Sequence, residues 1–174
     1  HTTTNLNVQN NNPKLRIALA QLNVCVGDVV GNLRLVTAAI HQAQAAHAQV
    51  LLLPELVLSG YAQDDLVYRT DFMMQMEQAL QTLVTIAPEL YVIVGVPLIR
   101  EGVIRNMACV LHGGQILHQY AKQKLPNYRV FDEKRWFVEG NQSCIVEING
   151  IKAAILICED IWHDEPVAAA KALG

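Results

Sequence analysis

The sequence lacks a hydrophobic run long enough to cross a membrane, and it lacks a cluster of basic residues. The longest apolar stretch near its middle, residues 50–58, is interrupted by Pro54 and Glu55 and falls short of the roughly 20 residues that a membrane helix needs. Lys and Arg number 13 against 16 Asp and Glu, a formal charge of -3, with no patch that could follow a phosphate backbone. We therefore expect neither a membrane nor nucleic acid as a partner.

The four cysteines form no CxxC pair and no disulfide-framework spacing, which is typical of reduced thiols in the cytoplasm. Neither they nor the six histidines show zinc-ligand spacing, so a metal site is the weakest alternative. The first residues are rich in Asn and Thr and contain no apolar core for an export signal. We predict a disordered polar leader over residues 1–14 and a cytoplasmic protein.

Apolar residues make up 52% of the 174 residues, which is enough to bury the core of one domain over residues 15–174. Asn32 is the predicted N-cap of the first helix, and the strand before it is expected to be covered on both faces. Turns at residues 112–114 and 149–150 predict two hairpins. The order of elements predicts an α/β fold with a mixed sheet. The predicted strands are 15–21, 50–53, 91–97, 105–111, 115–120, 143–147 and 152–157, and the predicted helices are 32–48, 71–87 and 165–173.

Cys158 ends an apolar strand and precedes two acidic residues, Glu159 and Asp160. A lone cysteine of this kind is more often a small core residue than a nucleophile. The acids at the end of the strand favour a functional thiol, because a purely structural cysteine does not require them. The pattern indicates a nucleophile at the point where a strand becomes a turn.

Glu55 lies within the apolar segment LLLPELVL, where a buried carboxylate needs a partner or a raised pKa. It could be a general base or a structural carboxylate paired to a cation. Lys122 and Lys124 alternate along YAKQKLP, so an extended chain would point only one of them into a shared pocket. The spacing does not choose between them. Residues 127–133 mix aromatic, acidic and amide groups, as a loop that lines a polar pocket would.

The segments PELVLSGY, KQKLPNYRVFDEKRWF and ICEDIW resemble the nitrilase superfamily, and within it the N-terminal glutaminase domain of glutamine-dependent NAD synthetases. The resemblance runs from Leu15 to the C-terminus. It implies an α-β-β-α sandwich and a triad of Glu55 as base, Lys122 as oxyanion partner and Cys158 as nucleophile. It also implies a glutamine contact by Tyr128, a second acid at Glu133 and an oxyanion contact by the backbone of Glu159.

The resemblance implies that glutamine is hydrolysed to glutamate and ammonia through a cysteine thioester, without a metal or cofactor. The ammonia would amidate deamido-NAD in a separate domain that uses ATP and magnesium. We expect the hydrolase domain to be C-terminally incomplete in this chain and homo-oligomeric contacts to cover the open sheet edge. The alternatives are a stand-alone amidase or carbamoylase with the same triad, and an inactive folded interaction module.

Overall fold

The computed structural model describes residues 12–61, 64–129 and 131–174, so most of the predicted leader lies outside the described residues. We name the elements in chain order. The strands are β1 Ile17–Leu19, β2 Val50–Leu52, β3 Tyr91–Arg100, β4 Val103–His112, β5 Gln115–Ala121, β6 Ile145–Ile148 and β7 Ile151–Ala154. The helices are α1 Val29–Ala45, α2 Thr70–Val84 and α3 Asp164–Ala172, with short 3₁₀ turns at Asp64–Tyr68, Glu133–Arg135 and Cys158–Trp162.

The first five strands form one mixed sheet in the order in which they occur along the chain. β1, β2 and β3 run parallel, and β3, β4 and β5 are antiparallel neighbours. β6 and β7 form a second, two-stranded antiparallel sheet. Both predicted hairpins are confirmed, and Asn149 and Gly150 both have positive φ values, 51° and 75°, which suit the tight turn between twisted strands.

The residues of the central strand β3 alternate between two hydrophobic cores. Val92 and Val94 pack with α1 and α2 on one face of the first sheet. Ile93 faces the other way and packs with Val146 and Ile148 of the second sheet, as the two-residue period of a strand requires. On the far side of the second sheet, α3 lines a cavity together with β6 and β7. The layers follow the expected α-β-β-α order.

The expectation that the first strand is covered on both faces is wrong. Ile17 and Leu19 of β1 are 51% and 73% exposed, because β1 is the edge strand and the two strands of the second sheet pack against its neighbours farther along the first sheet. The N-cap is also misplaced. α1 begins three residues earlier than predicted, with the carboxylate of Asp28 accepting from the N–H of Gly31 at 2.9 Å.

No helix within residues 12–61, 64–129 and 131–174 combines the length and the apolar character that crossing a bilayer requires.

Candidate active site

Glu55 lies in the turn that comes after β2. The backbone of β3 holds this turn in place. The N–H groups of Leu53 and Leu58 donate to the carbonyls of Ile93 and Gly95 at 3.1 and 3.3 Å. Gly95 permits this approach, because a Cβ there would lie 2.4 Å from the nitrogen of Leu56 and 2.6 Å from the carbonyl oxygen of Pro54. The glycine in the strand therefore fixes how closely the Glu55 turn lies against the sheet.

Asn32 holds the far end of the same turn instead of capping α1. Its side chain is buried and donates to the carbonyls of Leu58 and Cys25 at 3.1 and 2.8 Å, and it accepts from the N–H of Cys25 at 2.9 Å. Both N–H donors and the carbonyl oxygen of the amide are therefore used, and they join α1 to the loops that carry Cys25 and Leu58. The turn that presents Glu55 is thus fastened to the sheet at one end and to α1 at the other.

Lys122 follows the last residue of β5, and its backbone is held on both sides. Its N–H donates to the carbonyl of Asn106 at 2.8 Å, and its carbonyl accepts from the N–H of Gly140 at 2.9 Å. The side chain is 1% exposed, and its Nζ lies 2.7 Å from Glu55 Oε1 and 3.0 Å from Glu133 Oε1. Lys124 instead reaches the surface and pairs with Glu165, so the fold points only Lys122 into the site.

Two carboxylates share the one buried ammonium, and this sets the protonation of the cluster. Burial acts to lower the pKa of Lys122, but the adjacent charges of Glu55 and Glu133 outweigh it and the pKa is raised. Burial raises the pKa of Glu133, and the charge of Glu55 adds to that rise while Lys122 opposes it. Lys122 therefore stays a cation over the whole physiological range.

Cys158 occupies the first position of the 3₁₀ turn after β7, with a φ of 43°. The left-handed conformation is costly for a residue with a Cβ, and it leaves the residue exposed. Partial burial raises the pKa of the thiol, as does the charge of Glu55, while Lys122 and the backbone N–H of Glu159 oppose the rise. At neutral pH the sulfur is therefore a thiol that needs a base to become a nucleophile.

Glu55 and Cys158 line the same cavity of about 380 Å³ between the two sheets. The other lining residues are mainly apolar and come from β2, β3, β4 and β7. Such an apolar lining strengthens the electrostatic interaction between charged groups that border the cavity.

Asn106 belongs to the site, although the sequence analysis assigned it no role. It is 1% exposed, and its Nδ2 donates to Glu55 Oε1 at 2.8 Å. This oxygen also accepts from Lys122, so both donors hold the same carboxylate oxygen and leave Oε2 for a proton. The signal available in the sequence was one amide directly before the apolar run MACVL.

Three aromatic side chains pack against one another near Glu159. Tyr128 is 46% exposed, and its hydroxyl lies 3.4 Å from Glu159 Oε2. Its ring meets Phe131 edge to face, and Phe131 meets Tyr61 in the same way. Burial raises the pKa of Tyr61, and the charges of Glu133 and Glu55 raise it further. The charges of the two carboxylates thus act on Tyr61, a residue whose sequence context indicated no role.

Within the part of the chain that the structure describes, no three His, Cys, Asp or Glu side chains converge as ligands for a metal ion.

Comparison with protein families matches residues 16–174 to the carbon-nitrogen hydrolase family. The glutamine-dependent NAD(+) synthetase of Xylella fastidiosa is 41% identical over 157 residues, which are 88% of this chain and 29% of that protein. The synthetase of Thermotoga maritima is 39% identical over 162 residues, 92% of this chain and 28% of that protein. The chain thus spans less than a third of the length of these relatives.

Solved structures give synthetases again and add amidases as a second group of relatives. The glutamine-dependent NAD+ synthetase of Acinetobacter baumannii superposes with a TM-score of 0.88 at 34% identity, over 91% of this chain and 30% of that one. An amidase from Nesterenkonia sp. superposes with a TM-score of 0.83 at 29% identity, over 93% of this chain and 62% of that one. In a mutant of that amidase, the acetamide moiety of fluoroacetamide is added covalently at the active site cysteine.

Proposed function

Because the chain belongs to the carbon-nitrogen hydrolase family, we propose that it hydrolyses the side-chain amide of glutamine through a thioester on Cys158. One observation carries the proposal. The buried ammonium of Lys122 lies 2.7 Å from Glu55 and 3.0 Å from Glu133, and Glu55 shares its cavity with the exposed Cys158. A thiol can attack an amide carbon, a carboxylate can move the protons, and an ammonium can stabilise the oxyanion, so these three groups together can hydrolyse an amide by a covalent route.

In the first half of the reaction, Glu55 takes the proton of Cys158 as the sulfur attacks the amide carbon. Because the pKa of the thiol is raised, Cys158 needs this base to attack at neutral pH. The ammonium of Lys122 has three N–H donors. Glu55 and Glu133 accept two of them, and the third is available for the oxyanion together with the backbone N–H of Glu159.

The tetrahedral intermediate then expels ammonia, which receives the proton held by Glu55, and the acyl group remains on Cys158 as a thioester. Glu55 next takes a proton from water, and the resulting hydroxide attacks the thioester carbon. The second tetrahedral intermediate releases glutamate, and the proton on Glu55 returns to the sulfur. Each proton that Glu55 accepts is returned within the cycle, so no cofactor is required for this half-reaction.

The substrate is proposed to be glutamine because the relatives at 35–41% identity are named glutamine-dependent NAD(+) synthetases. Tyr128 and the neighbouring aromatic rings would contact the substrate outside the triad. We further propose that the ammonia amidates deamido-NAD, with ATP and magnesium used by residues beyond those of this chain. That homo-oligomeric contacts cover the open sheet edge also remains our prediction.

The test of this function is glutamate release from glutamine by the purified chain, compared with Cys158→Ala and with Cys25→Ala. Cys25 is also exposed but lies outside the proposed triad, so its substitution is the matched control. We expect Cys158→Ala to abolish release and Cys25→Ala to preserve it. An electrophilic glutamine analogue should add one mass label at Cys158. Labelling of Cys25 in preference to Cys158 would contradict the assignment.

A second candidate is a stand-alone amidase, favoured by the superposition of 93% of this chain on the Nesterenkonia amidase. Turnover of simple aliphatic amides at a rate equal to or above that of glutamine would favour it. Glutamine binding by calorimetry without turnover of any amide would instead favour a folded module without activity.

A further inference from the structure

Asp160 is completely buried two residues after the candidate nucleophile and accepts four hydrogen bonds. The backbone N–H groups of Gln123 and Lys124 donate to its Oδ1 at 3.0 and 2.7 Å. The N–H of Ile157 donates to its Oδ2 at 3.1 Å, and the hydroxyl of Tyr120 donates to the same oxygen. Among the described residues, no cationic side chain forms a salt bridge with Asp160.

These four donors come from the two chain segments that carry the nucleophile and the ammonium. Tyr120, Gln123 and Lys124 surround Lys122 at the end of β5, and Ile157 immediately precedes Cys158. One carboxylate therefore bridges the Cys158 turn and the Lys122 segment, which are far apart in sequence. Removing a carboxylate from water is unfavourable, so a position that served only packing would be better filled by an apolar side chain.

Asp160 also closes the strained turn around Cys158. The side chain accepts from the N–H of Ile157, and the backbone N–H of Asp160 donates to the carbonyl of Ile157 at 3.0 Å. Both bonds join Ile157 to Asp160, so they enclose Cys158 and Glu159, the two residues between them in the chain. A left-handed residue that is not glycine is strained and persists only where its surroundings fix it. The two bonds to Ile157 provide that restraint at the position of the nucleophile.

We propose that Asp160 is a positioning residue that holds the Cys158 turn against the Lys122 segment, so that the sulfur stays beside Glu55 and Lys122. We call its four hydrogen bonds, to Tyr120, Gln123, Lys124 and Ile157, the Asp160 clamp. The expected effect of Asp160 on catalysis rests on the proposed amide hydrolysis, but its expected effect on the reactivity of the Cys158 thiol does not. When the clamp is loosened, Cys158 moves away from the two carboxylates and into solvent. Its reactivity as an ordinary thiol then rises while its reactivity toward an amide falls.

The test is Asp160→Asn, with Asp164→Asn as the matched control because Asp164 is an exposed aspartate near the same turn. The asparagine oxygen can still accept from Gln123 and Lys124, and the hydroxyl of Tyr120 can reverse and accept. The N–H of Ile157 then faces an amide NH₂ and loses its acceptor. The substitution thus releases the Cys158 end of the clamp and keeps the shape of the side chain.

The main measurement is alkylation by iodoacetamide from about pH 6 to about pH 10, followed for each cysteine by peptide mass spectrometry. Cys25 is exposed and serves as the internal reference, while the buried Cys109 and Cys144 report unfolding if they become labelled. For Asp160→Asn we expect the rate of Cys158 relative to Cys25 at neutral pH to rise about threefold or more, with a pH profile displaced to lower pH. Glutaminase kcat should fall about 10-fold to 100-fold with KM changed much less.

A Cys158 labelling profile in folded Asp160→Asn that coincides with that of wild type would overturn the proposal. If Asp160→Asn labels Cys109 and Cys144, Tyr120→Phe decides, since it removes one of the four donors and keeps the ring. It should shift the Cys158 profile in the same direction by a smaller factor, and an unchanged profile would refute the clamp. Wild type that fails to release glutamate counts against the proposed function only, because the labelling comparison does not depend on turnover.

Discussion

Replacing the shared ammonium by a methyl thioether, in Lys122→Met, tests the electrostatic centre of the site. The substitution keeps an unbranched side chain of similar length but leaves the carboxylates of Glu55 and Glu133 without their cation. Removing one partner of a buried ion pair costs about 3–5 kcal/mol, and here Lys122 is 1% exposed and Glu133 4% exposed in their side chains. We expect a loss of this size in the free energy of unfolding near pH 8.

The loss should depend on pH in a defined direction. Lys122 lowers the pKa of Glu133, so removing Lys122 raises further a pKa that burial has already raised. A carboxyl group with a folded pKa above its unfolded value binds its proton more tightly when folded. Its contribution to stability is present below the unfolded pKa and lost as pH rises through the folded pKa. The penalty of Lys122→Met should therefore be smaller near pH 5 than near pH 8.

The assay is urea denaturation followed by circular dichroism at both pH values, with Lys124→Met as the matched control. Lys124 lies two residues away and pairs with the exposed Glu165, so its substitution should change stability little at either pH. Glutaminase activity should be lost in Lys122→Met and retained in Lys124→Met. Equal penalties at pH 5 and pH 8, or a Lys122→Met protein as stable as wild type at pH 8, would refute the electrostatic reasoning.

Two further substitutions test how Glu55 is held. Asn106→Ala removes one of the two donors to Glu55 Oε1, and because a hydrogen bond to a charged group is worth about 1.5–3 kcal/mol, glutaminase kcat should fall at least about 10-fold. An unchanged kcat in the folded variant would show that Lys122 alone orients the carboxylate. Gly95→Ala places a Cβ 2.4 Å from the nitrogen of Leu56, which should lower stability by about 1–3 kcal/mol and lower activity by displacing the Glu55 turn. A variant with wild-type melting temperature and activity would contradict the close-approach argument.

Local pattern was a good guide to elements whose neighbours in the sequence are also neighbours in space. The hairpin turn at Asn149-Gly150 and the apolar segment that became β2 were predicted correctly, because turn chemistry and a continuous apolar run are both signals that extend over a few residues. Asn32 was misassigned because its residue type suits an N-cap. The deciding fact was the presence of the Leu58 carbonyl beside it in the folded chain. β1 was expected to be covered on both faces because its segment is apolar. Composition carries no information on how far the second sheet extends.

The sequence by itself determined the chemistry available to this protein. It contains a cysteine at the end of a strand, a carboxylate in an apolar turn and two alternating lysines, and the resemblance carried by their motifs selected Lys122. Only the tertiary structure decided which groups surround that lysine. Glu55 and Lys122 are 67 residues apart in the chain yet share a hydrogen bond, and the second carboxylate, the Asn106 donor and the Asp160 clamp come from other elements. Burial and charge pairing depend on distances in space, and the packing of the sheets sets those distances.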